Sequence, residues 1–217
     1  MTAYIAGLKT LCILVDESID AFADIRFKMG IKGTRRTMRH CPRKAAALTP
    51  RILMAMKAHL RPEVSRDLVS WSAITLSFAC MARKSNLVPE SSGKFDPDCQ
   101  LCRSNIEIAA DKSCLTITLT WSKTNQDMDR ELVIPVLALP GSPICPVAAY
   151  CAAVSAVPAR GNGVCPAFAI PAPKGAIDKK PVALSYAMLT ADLKRLLKLA
   201  GFDESLFSSH SIRRHHA

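Results

Sequence analysis

Leu115-Thr116-Ile117-Thr118-Leu119-Thr120-Trp121 sets apolar side chains on alternate positions, and a period of two is the signature of a strand with one buried face. The alternation recurs on both sides, in Ile106 and Ile108 before it and in Leu132, Ile134 and Val136 after it. Three such runs in succession predict a small antiparallel sheet of three strands. Everything further out changes to a helical period, so the predicted fold class is α+β: a mainly helical domain carrying one small three-stranded sheet.

Downstream of the sheet, Pro143 and Pro146 open a helix predicted to run through about Val157, and a Pro- and Gly-rich loop follows from Pro158 to Pro181. Tyr186 to Ala200 returns to helical spacing with Leu189, Leu193, Leu196 and Leu197, and Ser208 to Ala217 begins like a further helix. Upstream, Leu48-Thr49-Pro50 reads as a helix start with Thr49 as N-cap and Pro50 in the first turn, followed by Ile52, Leu53, Met56 and Leu60 on one face. A second helix is predicted from about Ser65 to Arg83. Its centre, Trp71 to Met81, is apolar nearly all round, which predicts burial. At the start of the chain Leu8, Leu11, Val15, Ile19, Phe22 and Ile25 predict one or two amphipathic helices over Tyr4 to Met29. Gly30, Gly33 and Pro42 then punctuate a basic stretch, Lys28 to Lys44, that includes Lys32, Arg35, Arg36, Arg39 and Arg43 and reads as an interdomain linker. The organisation predicted is a helical piece with its linker over residues 1–40 and a larger domain over residues 41–217.

Composition narrows the class of partner. The chain has 217 residues, 49% of them hydrophobic, enough for a real core. Lys and Arg number 29 against 18 Asp and Glu, a formal charge of +11, which favours a polyanion such as nucleic acid or an anionic membrane surface. No apolar run reaches the roughly 18 residues needed to span a bilayer, and the first residues lack a charged leader with a cleavage site, so an intracellular protein is expected. Nine cysteines at irregular spacing fit a reducing compartment better than a disulfide framework. Cys99 and Cys102 form a CxxC without a second pair of ligands at suitable spacing, so no metal and no cofactor is expected.

The candidate chemistry is carried by basic side chains. His210 and Arg213 form an H-x-x-R pair in Ser209-His210-Ser211-Ile212-Arg213-Arg214, and at i, i+3 on a helix they would share a face that one phosphate could meet. Arg83 closes the predicted buried helix, where a guanidinium at the edge of a core is costly without an anion or carboxylate. Lys123 follows the strand in Trp121-Ser122-Lys123-Thr124-Asn125, at a hairpin tip. Taken singly, Arg83 reads more simply as a core-edge ion pair, Lys123 as a solvated turn lysine and His210 as a capping histidine.

Their order along the chain, a helix-borne Arg, a hairpin Lys and then H-x-x-R, resembles the tyrosine recombinase or phage-integrase superfamily. The wording of Ala82–Ser91 (ARKSNLVPES), Phe95–Ile108 (FDPDCQLCRSNIEI), Ser122–Gln126 (SKTNQ), Ile144–Tyr150 (ICPVAAY) and Ser208–Arg214 (SSHSIRR) is most similar to recombinases of eukaryotic DIRS- and Crypton-type mobile elements. The likeness runs from about Ile31 to Arg214, and residues 1–30 would correspond to the last helices of a core-binding domain. The resemblance implies the tyrosine-recombinase catalytic fold and site-specific DNA strand exchange by phosphoryl transfer. Arg83 and Arg213 would grip the non-bridging oxygens of the scissile phosphate, since forked planar donors suit a developing phosphorane. Lys123 would protonate the departing 5′ oxygen, and His210 would assist proton transfer. Lys32, Arg35, Arg36, Arg39 and Lys84 would contact the DNA backbone. The partners implied are double-stranded DNA and full-length recombinase protomers, with no membrane and no small-molecule substrate. The address implied is the nucleus, and the run from Arg35 to Lys44 could serve as an import signal or as a DNA-contacting linker.

Departures from the pattern matter too. Asn86 stands where relatives carry an acidic residue three positions after the first arginine, as the mobile-element branch often does. His215, His216 and Ala217 replace the two glycines and alanine that continue the second arginine box. The family's later His or Trp and its nucleophilic tyrosine would lie beyond this point, and Tyr4, Tyr150 and Tyr186 all precede His210 and read as core or surface positions. The expectation is a catalytic domain short of its nucleophile, inactive alone because covalent catalysis needs that oxygen. Without the covering helices it would expose apolar surface and be marginally stable. The alternative is a non-catalytic DNA-binding or interaction module derived from such an enzyme.

Overall fold

A computed structural model describes residues 2–37, 45–120, 131–159, 164–172, 175 and 180–213. It divides into two compact units, residues 1–44 and 45–217.

In the smaller unit, helix α1 (Thr2–Leu14) and helix α2 (Ile25–Thr37) flank a short 3-10 turn at Asp20–Phe22. Phe22 and Phe27 meet edge to face at 5.4 Å, and the Lys9 ammonium lies 5.6 Å from the Phe22 ring centre. The helical spacing of the apolar residues does not translate into a buried face: Leu8, Leu11, Val15, Ile19 and Ile25 are all exposed. The basic stretch read as a linker is helical over residues 28–37, where α2 runs through both Gly30 and Gly33. Each glycine costs a helix about 1 kcal/mol, a local preference that neighbouring helix formers can override. Residues 38–44, with Arg39, lie outside the described residues.

The larger unit is α+β. Helices α3 (Pro50–Lys57), α4 (Ser65–Cys80) and the single turn α5 (Lys84–Leu87) lead into strands β1 (Ile106–Ile108), β2 (Cys114–Leu119) and β3 (Leu132–Leu137). Helix α6 (Pro146–Ala156), the short strands β4 (Ala169–Ile170) and β5 (Val182–Ala183) and helix α7 (Tyr186–Leu199) complete it, followed by 3-10 turns at Glu204–Leu206 and Ser211–Arg213. The Thr49 side chain accepts from the Ile52 amide at 3.3 Å with Pro50 in the first turn, as predicted. The sheet is antiparallel in the order β1-β2-β3, with Leu115 opposite Val136 and Ile117 opposite Ile134. Leu115, Ile117 and Leu119 are the buried face that the period-two pattern demanded.

Helix α4 is the axis of this unit. Trp71, Ala73, Ile74 and Leu76 are buried, α6 packs along it most extensively, and α7 and the Ser211–Arg213 turn also rest on it. Three of its buried hydroxyls find partners, Thr75 donating to the Trp71 carbonyl at 2.9 Å, Ser70 to the Asp192 carboxylate at 2.6 Å and Ser77 to the Ala82 carbonyl at 3.3 Å, while the buried Ser72 hydroxyl has none among the described residues. Buried Asp67 accepts two bonds from the Arg61 guanidinium at 2.9 and 3.1 Å and one from Arg195 at 2.8 Å, while Asp192 pairs with Arg66 at 2.9 Å. These charges lock the start of α4 to α7. Burial pushes the Asp67 carboxyl up, but the hydrogen bonds and charges of Arg61 and Arg195 outweigh it and hold the group below its ordinary value.

Two further readings are corrected. The helix predicted to reach Arg83 stops at Cys80, because Met81 turns into the left-handed region at φ 50°. The stretch from Pro158 to Pro181 is not all loop, since β4 within it pairs with β5 and buries Phe168 edge to face against Tyr150 at 6.2 Å. Among the described residues, no helix is long and apolar enough to cross a membrane.

Candidate nucleic-acid interface

The left-handed residue Met81 redirects the chain at the end of α4, and the Ser77 hydroxyl donates to the Ala82 carbonyl at 3.3 Å across the turn. Arg83 therefore follows the buried helix in an extended conformation (φ −73°, ψ 143°) and caps α5 rather than ending α4. Its side chain is half-buried. Among the described residues no carboxylate pairs with its guanidinium. A cation partly withdrawn from water with no counter-charge is an open position for an anion. Lys84 beside it is exposed. Asn86 is buried, and its carbonyl accepts from the Leu101 amide at 2.8 Å.

The His210 segment reaches the same neighbourhood from the other end of the unit. The Ser208 amide donates to the Ser211 hydroxyl at 2.9 Å, the Ser211 amide to the Ser208 carbonyl at 2.9 Å and the His210 amide to the Ser208 hydroxyl at 3.2 Å. The Leu48 amide donates to the Ser211 carbonyl at 3.0 Å, fixing the turn to the entrance of α3. Ser211 and Ile212 are buried against α4, while His210 stays exposed. The predicted α-helix is thus a tight turn with one 3-10 step over the described residues 209–213.

A residue that the sequence reading treated as core or surface joins the two segments. Tyr186, the first residue of α7, donates its amide to the Pro89 carbonyl at 2.8 Å. The Lys84 ammonium lies 3.6 Å from its ring centre, and its hydroxyl sits 3.3 Å from that of Ser209. The chain of contacts Lys84, Tyr186, Ser209 runs from the residue after Arg83 to the residue before His210. Nothing local in the sequence signalled this, since the partners are far apart in the chain. The Ser209 hydrogen bond lowers the Tyr186 phenol from its ordinary value despite partial burial, with Thr190 and Lys84 adding to the effect.

The remaining predicted site residues are less fully described. Arg213 has its backbone in the 3-10 turn, but its side chain lies outside the described residues. Lys123 falls in residues 121–130, between β2 and β3, which also lie outside. In the smaller unit Lys32 is exposed on α2; Arg35 and Arg36 are on the same helix with side chains outside the description. Of the other tyrosines, Tyr150 is buried, with burial pushing its phenol far up, and Tyr4 is exposed on α1. Comparison with protein-family models, with curated proteins and with solved structures found no match.

Proposed function

We propose that the chain binds double-stranded DNA through a phosphate-gripping site of the tyrosine-recombinase type and derives from an enzyme of site-specific strand exchange. The observation that carries this reading is the half-buried Arg83 guanidinium with no carboxylate partner among the described residues, one position from Lys84 and linked through Tyr186 to the His210 turn. Arg83 and Arg213 hold the non-bridging oxygens of one phosphodiester, His210 supports proton transfer there, and Lys123 delivers a proton to the leaving 5′ oxygen. Lys32, Arg35, Arg36, Arg39 and Lys84 contribute backbone charge, in line with a net charge of +11 and a nuclear setting. Full-length recombinase protomers are the protein partners.

A second reading, a DNA-binding module without catalysis, is favoured by the tyrosines. Tyr150 is buried and Tyr186 already engages Lys84 and Ser209, so neither presents a free hydroxyl as the nucleophile that covalent catalysis needs. Fluorescence anisotropy with a labelled duplex over a salt series tests the shared core of both readings. The logarithm of affinity is expected to fall with the logarithm of salt, by about 0.9 per phosphate contacted, and Arg83→Ala is expected to weaken binding about tenfold or more. A flat salt response would remove both readings.

A further inference from the structure

Lys84 carries three N–H donors, and its ammonium is held over the Tyr186 ring, 3.6 Å from the centre, while remaining exposed. Packing on the ring takes one side of the ammonium and leaves the others open. The Tyr186 and Ser209 hydroxyls stand 3.3 Å apart, so one hydroxyl hydrogen serves the contact between them and the second is available to a ligand. Both side chains are only half-buried, so a ligand from solvent can reach them. The position of each group is fixed from behind: Tyr186 by its amide bond to Pro89, Ser209 by the turn that Ser208 and Ser211 close, and Lys84 by the ring itself.

We propose that Lys84, Tyr186 and Ser209 form a second phosphate subsite, which takes a phosphodiester flanking the one that Arg83 faces. The inference rests on the DNA-binding reading above and extends it. One positive charge beside neutral hydroxyls suits a phosphodiester, which carries a single negative charge, and hydroxyls of Ser and Tyr are ordinary backbone-positioning donors on duplex DNA. A flanking contact also sets the register of the strand across Arg83 and His210, because the same tyrosine joins the two segments that carry them.

The test separates charge from hydrogen bonding. Anisotropy titrations of a labelled duplex over a salt series compare the parent chain with Lys84→Gln, Tyr186→Phe and Ser209→Ala, each checked for unchanged thermal unfolding. Lys84→Gln is expected to reduce the salt slope by about 0.9, one phosphate's worth of released counterions. Tyr186→Phe keeps the ring beneath Lys84 and removes only the hydroxyl, so it is expected to weaken binding about 5- to 10-fold with the slope unchanged. Ser209→Ala repeats the measurement if the phenylalanine variant unfolds. The Lys84→Gln, Tyr186→Phe double variant is expected to lose less than the product of the single losses, since both groups meet one phosphate. If the parent and Arg83→Ala behave as proposed while Lys84→Gln or Tyr186→Phe binds with the parent's affinity and slope, the subsite is overturned and the DNA-binding reading stands. If the parent itself shows no salt-dependent binding, both fall together.

Discussion

Helices α1 and α4 are both rich in apolar residues, yet α4 is buried all round from Val69 to Ser77 and α1 leaves Tyr4, Leu8, Leu11, Ile13 and Leu14 exposed. What separates them is the environment built for the helix. Along α4 small residues alternate with large ones, the Ser70, Thr75 and Ser77 hydroxyls bond to Asp192 or to backbone, and α6, α7 and the Ser211–Arg213 turn pack on it. Among the described residues, α1 shares its own unit with only the short turn and α2. Apolar content states what a helix could bury; only complementary surfaces decide what it does bury.

That contrast can be broken most sharply in the core. Leu76→Ala on α4 should destabilise by about 2–5 kcal/mol, against a change within about 0.5 kcal/mol for Leu11→Ala on α1. Urea denaturation of the two variants reads the difference, and equal losses would erase the distinction drawn between the helices. Next in size is Asp67→Asn, expected to cost about 2–3 kcal/mol, because it weakens charge-assisted bonds to Arg61 and Arg195 without opening a cavity. The same group sets an acid limit. Its folded-state value lies below the ordinary 3.8, so its contribution is fully present above about pH 5 and is lost as pH falls through the lowered value. Melting temperature followed from pH 6 to pH 2 should therefore drop less for Asp67→Asn than for the parent.

Changes at the candidate interface should uncouple binding from stability. Arg83→Ala removes a guanidinium with no carboxylate partner among the described residues, so thermal unfolding should barely move while duplex affinity falls about tenfold or more. A large loss of stability would instead mark Arg83 as a structural residue. Smallest is Lys32→Gln on exposed α2, expected to lower the salt slope of DNA binding by about 0.9 with no effect on unfolding. An unchanged slope would take the smaller unit out of the interface.

Much of the larger unit was legible because its signals are local. Thr49 followed by Pro50 states a helix start in two residues, and Leu115, Ile117 and Leu119 state a strand face by alternation. Features that depend on distant partners were not. Ala169 and Ile170 become a strand only because Val182 and Ala183 lie alongside, and a two-residue strand has no period to read. Met81 gave no warning of a left-handed turn, which glycine usually supplies, so Arg83 was placed on the wrong element. Tyr186 looked like an ordinary helix residue because Lys84 and Ser209 meet it only in three dimensions. At the candidate site, the backbone that presents His210 is not legible in the sequence: helical spacing predicts a helix where Ser208 and Ser211 close a turn.

The central claim is that Arg83 and Arg213 serve one and the same phosphodiester. A double-mutant cycle of Arg83→Ala and Arg213→Ala, read as the salt slope of duplex binding, tests it most directly. Shared use of one phosphate predicts that the double variant loses a slope of about 0.9 in total and an affinity smaller than the two single losses combined. A total loss of about 1.8 with strictly additive energies would put the two arginines on different phosphates and contradict the account.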